Sequence, residues 1–241
     1  MPNPNCYGAI EVVAMRVSAL AASGAPLTGA NNGYVTSNVM QADAKPDLLK
    51  GIEEIAQGAN NNICQYLRDC DRLKSFEITV QLCAMEPDLV NLMTGSTSIA
   101  STGSGIYSAG QSGKTIGGKY SNPTDSCQNG VCVEFWELAW DQTEQAKSNI
   151  FSAASTLTYW HHVFPRVKFQ IDDQKFDNKW RLPQLKGVAT TNSKITANGP
   201  FDDWDIAVAN AGGFTGLGGY FLDDEFPASA CGLITVPSAA S

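Results

Sequence analysis

The sequence predicts a mainly β protein, an antiparallel barrel or sandwich with one short helix. Three observations predict it. Apolar and polar residues alternate at the period of a strand with one buried face, Asn-Gly pairs suited to hairpin turns lie along the chain, and a single short stretch carries helical spacing with both helix-end signals.

Taken in chain order, Val13, Met15 and Val17 alternate with Ala14, Arg16 and Ser18, which reads as a strand with one face in the core. Asn32-Gly33 is the first of three pairs that tolerate positive φ, with Asn129-Gly130 and Asn198-Gly199 as the others. Phe76, Ile78, Val80 and Leu82 alternate with Glu77, Thr79, Gln81 and Cys83 as a second strand. The stretch Glu86 to Gly95 follows as a helix. Pro87 suits a first helical position, Leu89, Leu92 and Met93 fall on one face, and Gly95 closes the end. About two turns are not stable in isolation. The helix must therefore pack on the sheet that ends at Cys83, plugging the end of the barrel or sandwich.

Residues 94–130 are rich in Gly, Ser and Thr and offer little to bury, so they read as a long loop. Such a loop orders against a neighbouring subunit or idles as a linker. Its candidate contact residues are Gly103, Gly105, Tyr107, Gly113, Lys114 and Lys119. Val167, Phe169 and Ile171 alternate with Lys168 and Gln170 as a further strand, and Ala211 to Gly219 is a second glycine-rich stretch. With no internal repeat and no break in composition, residues 1–241 read as one domain.

Hydrophobic residues make up 43% of the 241 and charged residues 17%, the balance of a globular chain. A net charge of -8 argues against nonspecific nucleic-acid binding, which needs cations to displace phosphate counterions. No apolar run approaches the roughly 20 residues that span a bilayer, so no membrane partner is expected. Ala9 to Ala22 lacks a basic start and carries Glu11 and Arg16, which disfavours a signal peptide.

The seven cysteines form no CxxC pair and have no histidine beside them, so zinc is not expected. They read as reduced, partly buried thiols. A local disulfide, Cys64 with Cys70 or Cys127 with Cys132, is the alternative in oxidising surroundings.

The catalytic signals fail one by one. Ser108 to Thr115 ends like a phosphate-binding loop, but serine replaces the first glycine, and Gly117, Gly118 and Pro123 prevent the helix that should follow. His161 and His162 are the only histidines and read as strand neighbours pointing to opposite faces, unable to share a metal or catalytic site. Asp172-Asp173, Asp202-Asp203 with Asp205, and Asp223-Asp224-Glu225 lack calcium-loop spacing and read as solvated acidic faces or loops. Glu134 and Glu137 lie among Phe135, Trp136 and Trp140, a group suited to stacking on sugars and more commonly core or interface. Neither enzyme activity nor a cofactor is expected.

The run Phe76 to Gly95, FEITVQLCAMEPDLVNLMTG, resembles the strand-then-helix signature of major tail proteins from long-tailed (siphovirus-type) actinobacterial phages. Gly33-Tyr34-Val35-Thr36 is similar to a glycine-aromatic-valine strand of the same family, and Ala59 to Cys64 with Cys70 to the segment before its signature. Tyr159 to Ile171, centred on Phe164-Pro165-Arg166-Val167, resembles the strand that enters the family's second half. The likeness runs in patches over about residues 30 to 200. It departs in the Gly/Ser loop and after Phe201.

The resemblance implies a tail-tube fold of two packed antiparallel sheets with a flanking helix, assembled as stacked and usually hexameric rings. It implies a virion location after assembly in the bacterial cytoplasm, self-association and contact with other tail proteins, and DNA passing down the lumen without specific binding. Acidic charge suits such a wall, because a basic one would hold phosphates. The contacts are expected in the 94–130 loop and in Met1 to Tyr7, and the segment after about 201 is a variable end. The rival readings are a carbohydrate-binding β-sandwich using Trp136, Trp140 and Trp160, another virion part such as a capsid or tail-terminator protein, and a hydrolase built on either histidine and a nearby carboxylate.

Overall fold

The computed structural model describes residues 8–57, 63–103, 112–119, 130–140, 159–171, 182–196, 198–204, 216–223, 227 and 231–238. The described elements, in order, are β1 (Gly8–Ala19), β2 (Gly29–Thr36), β3 (Val39–Leu49), β4 (Glu53–Gln57), β5 (Ile63–Arg68), β6 (Arg72–Leu82), α1 (Pro87–Thr94), β7 (Thr97–Ala100) and β8 (Thr115–Lys119). They continue with β9 (Val131–Trp140), β10 (Tyr159–Ile171), β11 (Gln184–Ala189), β12 (Gly219–Asp223) and β13 (Gly232–Val236). Among the described residues the fold is mainly β, with packed antiparallel sheets and one short helix, as the sequence predicts.

Among the described residues nine strands form one antiparallel sheet in the order β13-β2-β1-β9-β10-β11-β6-β3, with β12 paired to β10 off that path. Residues from the two ends of this path meet in one core: Met15, Val17 and Tyr34 with Ile78, Val80 and Leu82. The two layers expected from the sequence are thus limbs of a single hydrogen-bonded sheet. Pro46 lies in β3, the end strand of the path, where a missing ladder donor does least harm.

The helix is placed as predicted. Pro87 opens it, Gly95 ends it with φ of 68°, and Leu89, Val90 and Met93 are buried in the main core. Glu86, just before it, accepts hydrogen bonds from Thr36 Oγ1 at 3.0 Å and from Asn38 Nδ2, tying the helix start to the β2 end.

Asn32-Gly33 lies inside β2 rather than at a turn; the β1–β2 connection turns around Gly24, whose φ is 90°. Packing decides this, because a Cβ on Gly33 would come within 2.8 Å of Ile234 on β13. Part of the stretch read as a long loop is a ribbon, β7 paired with β8. Its glycines serve close approach: Asn91 Nδ2 donates to Gly117 O at 3.1 Å, and a Cβ on Gly118 would fall on the Asn91 side chain.

β9 is buried on both faces. Val131, Val133 and Phe135 enter the main core, while Cys132, Glu134, Trp136 and Leu138 face the other way and are also covered. β1 behaves likewise: Met15 and Val17 lie in the main core and Ala14, Arg16 and Ser18 are buried opposite, so the single buried face predicted for this strand becomes two. In β10 a register shift between Phe164 and Val167 adds one residue relative to β9 and reverses the alternation. Before it Val163 faces the second layer; after it Val167 and Phe169 face the main core. The irregular segment around residues 192–204 covers this second face, with Ile195 and Trp204 fully buried against Leu20, Cys132 and Val163. Asn192 fastens it by donating to Gly24 O at 2.8 Å and Pro165 O at 3.1 Å.

Candidate functional site

Two features stand out from the framework: a closed charge cluster on the second face, and an exposed apolar arm. The cluster grows from strand register. Arg16 on β1 is paired with Glu134 on β9, so both side chains leave the sheet on the same side. Arg16 Nε donates to Glu134 Oε1 at 3.0 Å and Nη2 donates to Oε2, the two-pronged geometry that a planar guanidinium makes with a carboxylate. Asp203, from the covering segment, accepts from Arg16 Nη2 at 2.9 Å, and its Oδ2 is ion-paired 2.7 Å from Nη1. The guanidinium also lies 4.0 Å over the Phe201 ring.

Glu134 is wholly buried and saturated with donors. Its Oε2 also receives Trp204 Nε1 at 2.9 Å and lies 3.1 Å from His161 Nε2. His161 stacks on Trp136 with ring centroids 4.0 Å apart, and its Nδ1 is 3.0 Å from Asp223 Oδ2 on β12. Burial alone would push the Glu134 carboxyl up. The Arg16 charge, the His161 hydrogen bond and the Arg16 hydrogen bonds outweigh it and bring the value down to about 2. Burial would lower His161, but its hydrogen bonds to Asp223 and Glu134, with their charges, raise it above the usual imidazole value. Burial pushes the Cys132 thiol well up, so this cysteine is inert.

Such a cluster holds charge and holds elements together. Its central groups Arg16, Glu134 and His161 are all at most 4% exposed, and Asp203 at its edge is 19% exposed. Among the described residues no group of three His, Cys, Asp or Glu side chains is arranged to hold a metal ion. The structure does place the two histidines on opposite faces, as predicted: His161 inward, and His162 half-exposed with Nε2 3.0 Å from Glu137 Oε2. Trp136 is buried beneath His161 and unavailable to a sugar. The solvated reading of the acidic clusters is corrected for Asp203 and Asp223, whose side chains are 19% and 9% exposed and ion-paired. Nothing in the local sequence distinguished them, because their partners lie far away in the chain.

The strand Thr115–Lys119 occupies the place where a phosphate-binding loop would need a helix. Of the predicted assembly-loop residues, Gly103, Gly113, Lys114 and Lys119 lie at or near the β7–β8 ribbon, with Gly103 and Gly113 at positive φ. Gly105 and Tyr107 lie outside the described residues, as do Met1 to Tyr7, Ala59 to Asn62, Asn129, Asp172, Asp173, Asp205, Asp224, Glu225 and residues 211–215. Cys70 is an exposed free thiol and Cys132 a buried one; Cys127 and the Cys64 side chain are outside the described residues.

The arm was not singled out from sequence. Beyond the β3–β6 pair the chain continues through Gly51 into the β4–β5 ribbon, and a Cβ on Gly51 would fall on the Asp69 carbonyl. Leu48, Leu49, Ile52, Ile55, Ile63, Tyr66, Leu67 and Leu73 are all exposed along it. Ile55 pairs with Tyr66 on one face and Leu67 with Glu54 on the other, so both faces carry apolar surface. The signal was present in the sequence as apolar residues without a clean period. No protein-family model matches the chain, and no curated protein matches it.

Proposed function

We propose that the protein is a virion structural subunit of a siphovirus-type phage tail tube, self-assembling into stacked hexameric rings through which DNA passes. The observation that carries this reading is the 48–73 arm. A two-stranded ribbon is marginal by itself in water, and one with apolar side chains on both faces gains stability only by burying them against another surface. A subunit that repeats can supply that surface from an identical neighbour, through head-to-tail contacts that close by rotation. The resemblance of Phe76 to Gly95 to the major tail protein signature supports the same reading, and so does the net charge of -8, which leaves DNA unheld in a lumen.

Negative-stain microscopy of the concentrated, purified protein tests it. Rings or tubes of uniform diameter are expected from the unaltered chain. Material that stays monomeric at every concentration overturns the proposal.

A further inference from the structure

We propose that His161 is held as an imidazolium that latches strand β12 to the centre of the sheet, and that loss of its proton releases that strand. The inference is independent of the assembly reading. It rests on where the two ring nitrogens point. Nε2 lies 3.1 Å from Glu134 Oε2 and Nδ1 lies 3.0 Å from Asp223 Oδ2. A neutral imidazole has one N–H and one lone pair, so it can satisfy only one of two carboxylates; the second contact becomes lone pair against lone pair.

The groups around the ring sharpen the requirement. From β1 comes the Arg16 cation, from β9 the Glu134 carboxylate, the Trp136 ring and the Cys132 thiol. From β12 come Asp223 and the Phe221 ring, 4.6 Å away, and from the covering segment Asp203 and Trp204. Glu134 already accepts both prongs of Arg16 and the Trp204 indole, so it stays an acceptor toward His161. Among the described residues Glu134, Asp203, Asp223 and the Arg16 cation lie around this site, and a proton on His161 adds positive charge between Glu134 and Asp223, where uncompensated charge is costly.

The strand at the other end of this contact is short, five residues, with Phe221 packed on the second core. Among the described residues β12 pairs only with β10, off the main path, and Tyr220, its second residue, is exposed. Asp223, opposite Tyr159, is the last described residue of the strand, so the His161 contact lies at that end of the described ladder. The sign follows from linkage. A group that binds its proton more tightly in the latched state contributes most at low pH. Opening of β12 therefore becomes easier as pH rises from the ordinary imidazole range, near 6.5, through the higher value of the latched ring.

Hydrogen–deuterium exchange tests this on the intact protein, whatever its state of assembly. Deuterium uptake at the imidazole C2 position, followed against pH, reports each histidine, and there are only two. His161 is expected to titrate above the ordinary range. Over the same interval, backbone exchange in 219–223, corrected for base catalysis, is expected to accelerate by up to about tenfold per pH unit. The 76–82 strand serves as the control and is expected to stay flat. In Asp223→Asn the amide can donate to a neutral Nδ1 while Nε2–H serves Glu134, so the contact no longer needs the added proton and the pH slope at 219–223 disappears. A His161 that titrates at or below the ordinary value, or protection of 219–223 that does not change with pH, overturns the latch. If Asp223→Asn fails to fold, the unaltered protein decides alone.

Discussion

The charge cluster under the 192–204 segment and the 48–73 arm treat surface in opposite ways. In the first, groups that water would hydrate well are taken out of water and given partners from five separate parts of the chain: β1, β9, β10, β12 and the covering segment. In the second, side chains that water hydrates poorly are left in it. A buried charge is tolerable only when every partner is in place, so the cluster must be finished within one molecule. Exposed apolar surface can be finished by a second molecule. The difference separates what this chain does by folding from what it is proposed to do by associating, and substitutions in each region pull those apart.

The largest effect is expected from Glu134→Ala. It strands Arg16 and His161 without their shared carboxylate, and breaking a buried pair in this way costs about 3–5 kcal/mol. Urea denaturation should read that loss directly. A change below about 1 kcal/mol would mean that water reaches the cluster and would weaken the contrast with the arm.

Next is Gly199→Ala. Gly199 has φ of 74°, and an added Cβ would lie 2.4 Å from the Trp204 indole, so backbone strain and overpacking act together. A destabilisation of about 1–3 kcal/mol is expected, seen as a lower thermal midpoint. Acid gives an independent check. The Glu134 carboxyl lies near 2 when folded and near 4.3 in an unfolded chain, so its contribution is present above that upper value and lost as pH falls toward 2. Denaturation midpoints should therefore drop across that interval, and Glu134→Gln should flatten the drop.

Much of this contrast was legible in the sequence on one side only. Local patterns read well: the alternation from Phe76 to Leu82 and the Pro87 and Gly95 boundaries of the helix stand where predicted. The opposed faces of His161 and His162 followed from the strand period alone. What failed was long-range. Arg16 and Glu134 are 118 residues apart and Arg16 and Asp203 are 187 apart, so neither pairing leaves a local trace. The second buried face of β1 was hidden because Ala14 and Ser18 are small and Arg16 is charged, and none of the three looks like core. Asn32-Gly33 misled because a turn dipeptide was used inside a strand, where the close Ile234 side chain demands glycine.

The smallest effect on stability is expected in the arm, and it is the most informative. Ile55 and Leu67 occupy opposite faces of the β4–β5 ribbon and are 46% and 58% exposed, so the folded monomer loses little when both become serine. Surface changes of this kind usually stay within about 0.5 kcal/mol each. If the arm is finished by a neighbour, the same pair of substitutions removes apolar area from every joint, and the loss multiplies around a ring. Ile55→Ser with Leu67→Ser should therefore unfold in urea almost as the unaltered protein does, yet sediment as a monomer at concentrations where the unaltered chain forms large assemblies. Unchanged assembly would move the joints elsewhere, with the β7–β8 ribbon and its exposed Ile99 and Ile116 as the next surface to alter. A large fall in stability would instead mean that the arm folds back on its own subunit in solution, and the contrast between the two regions would then disappear.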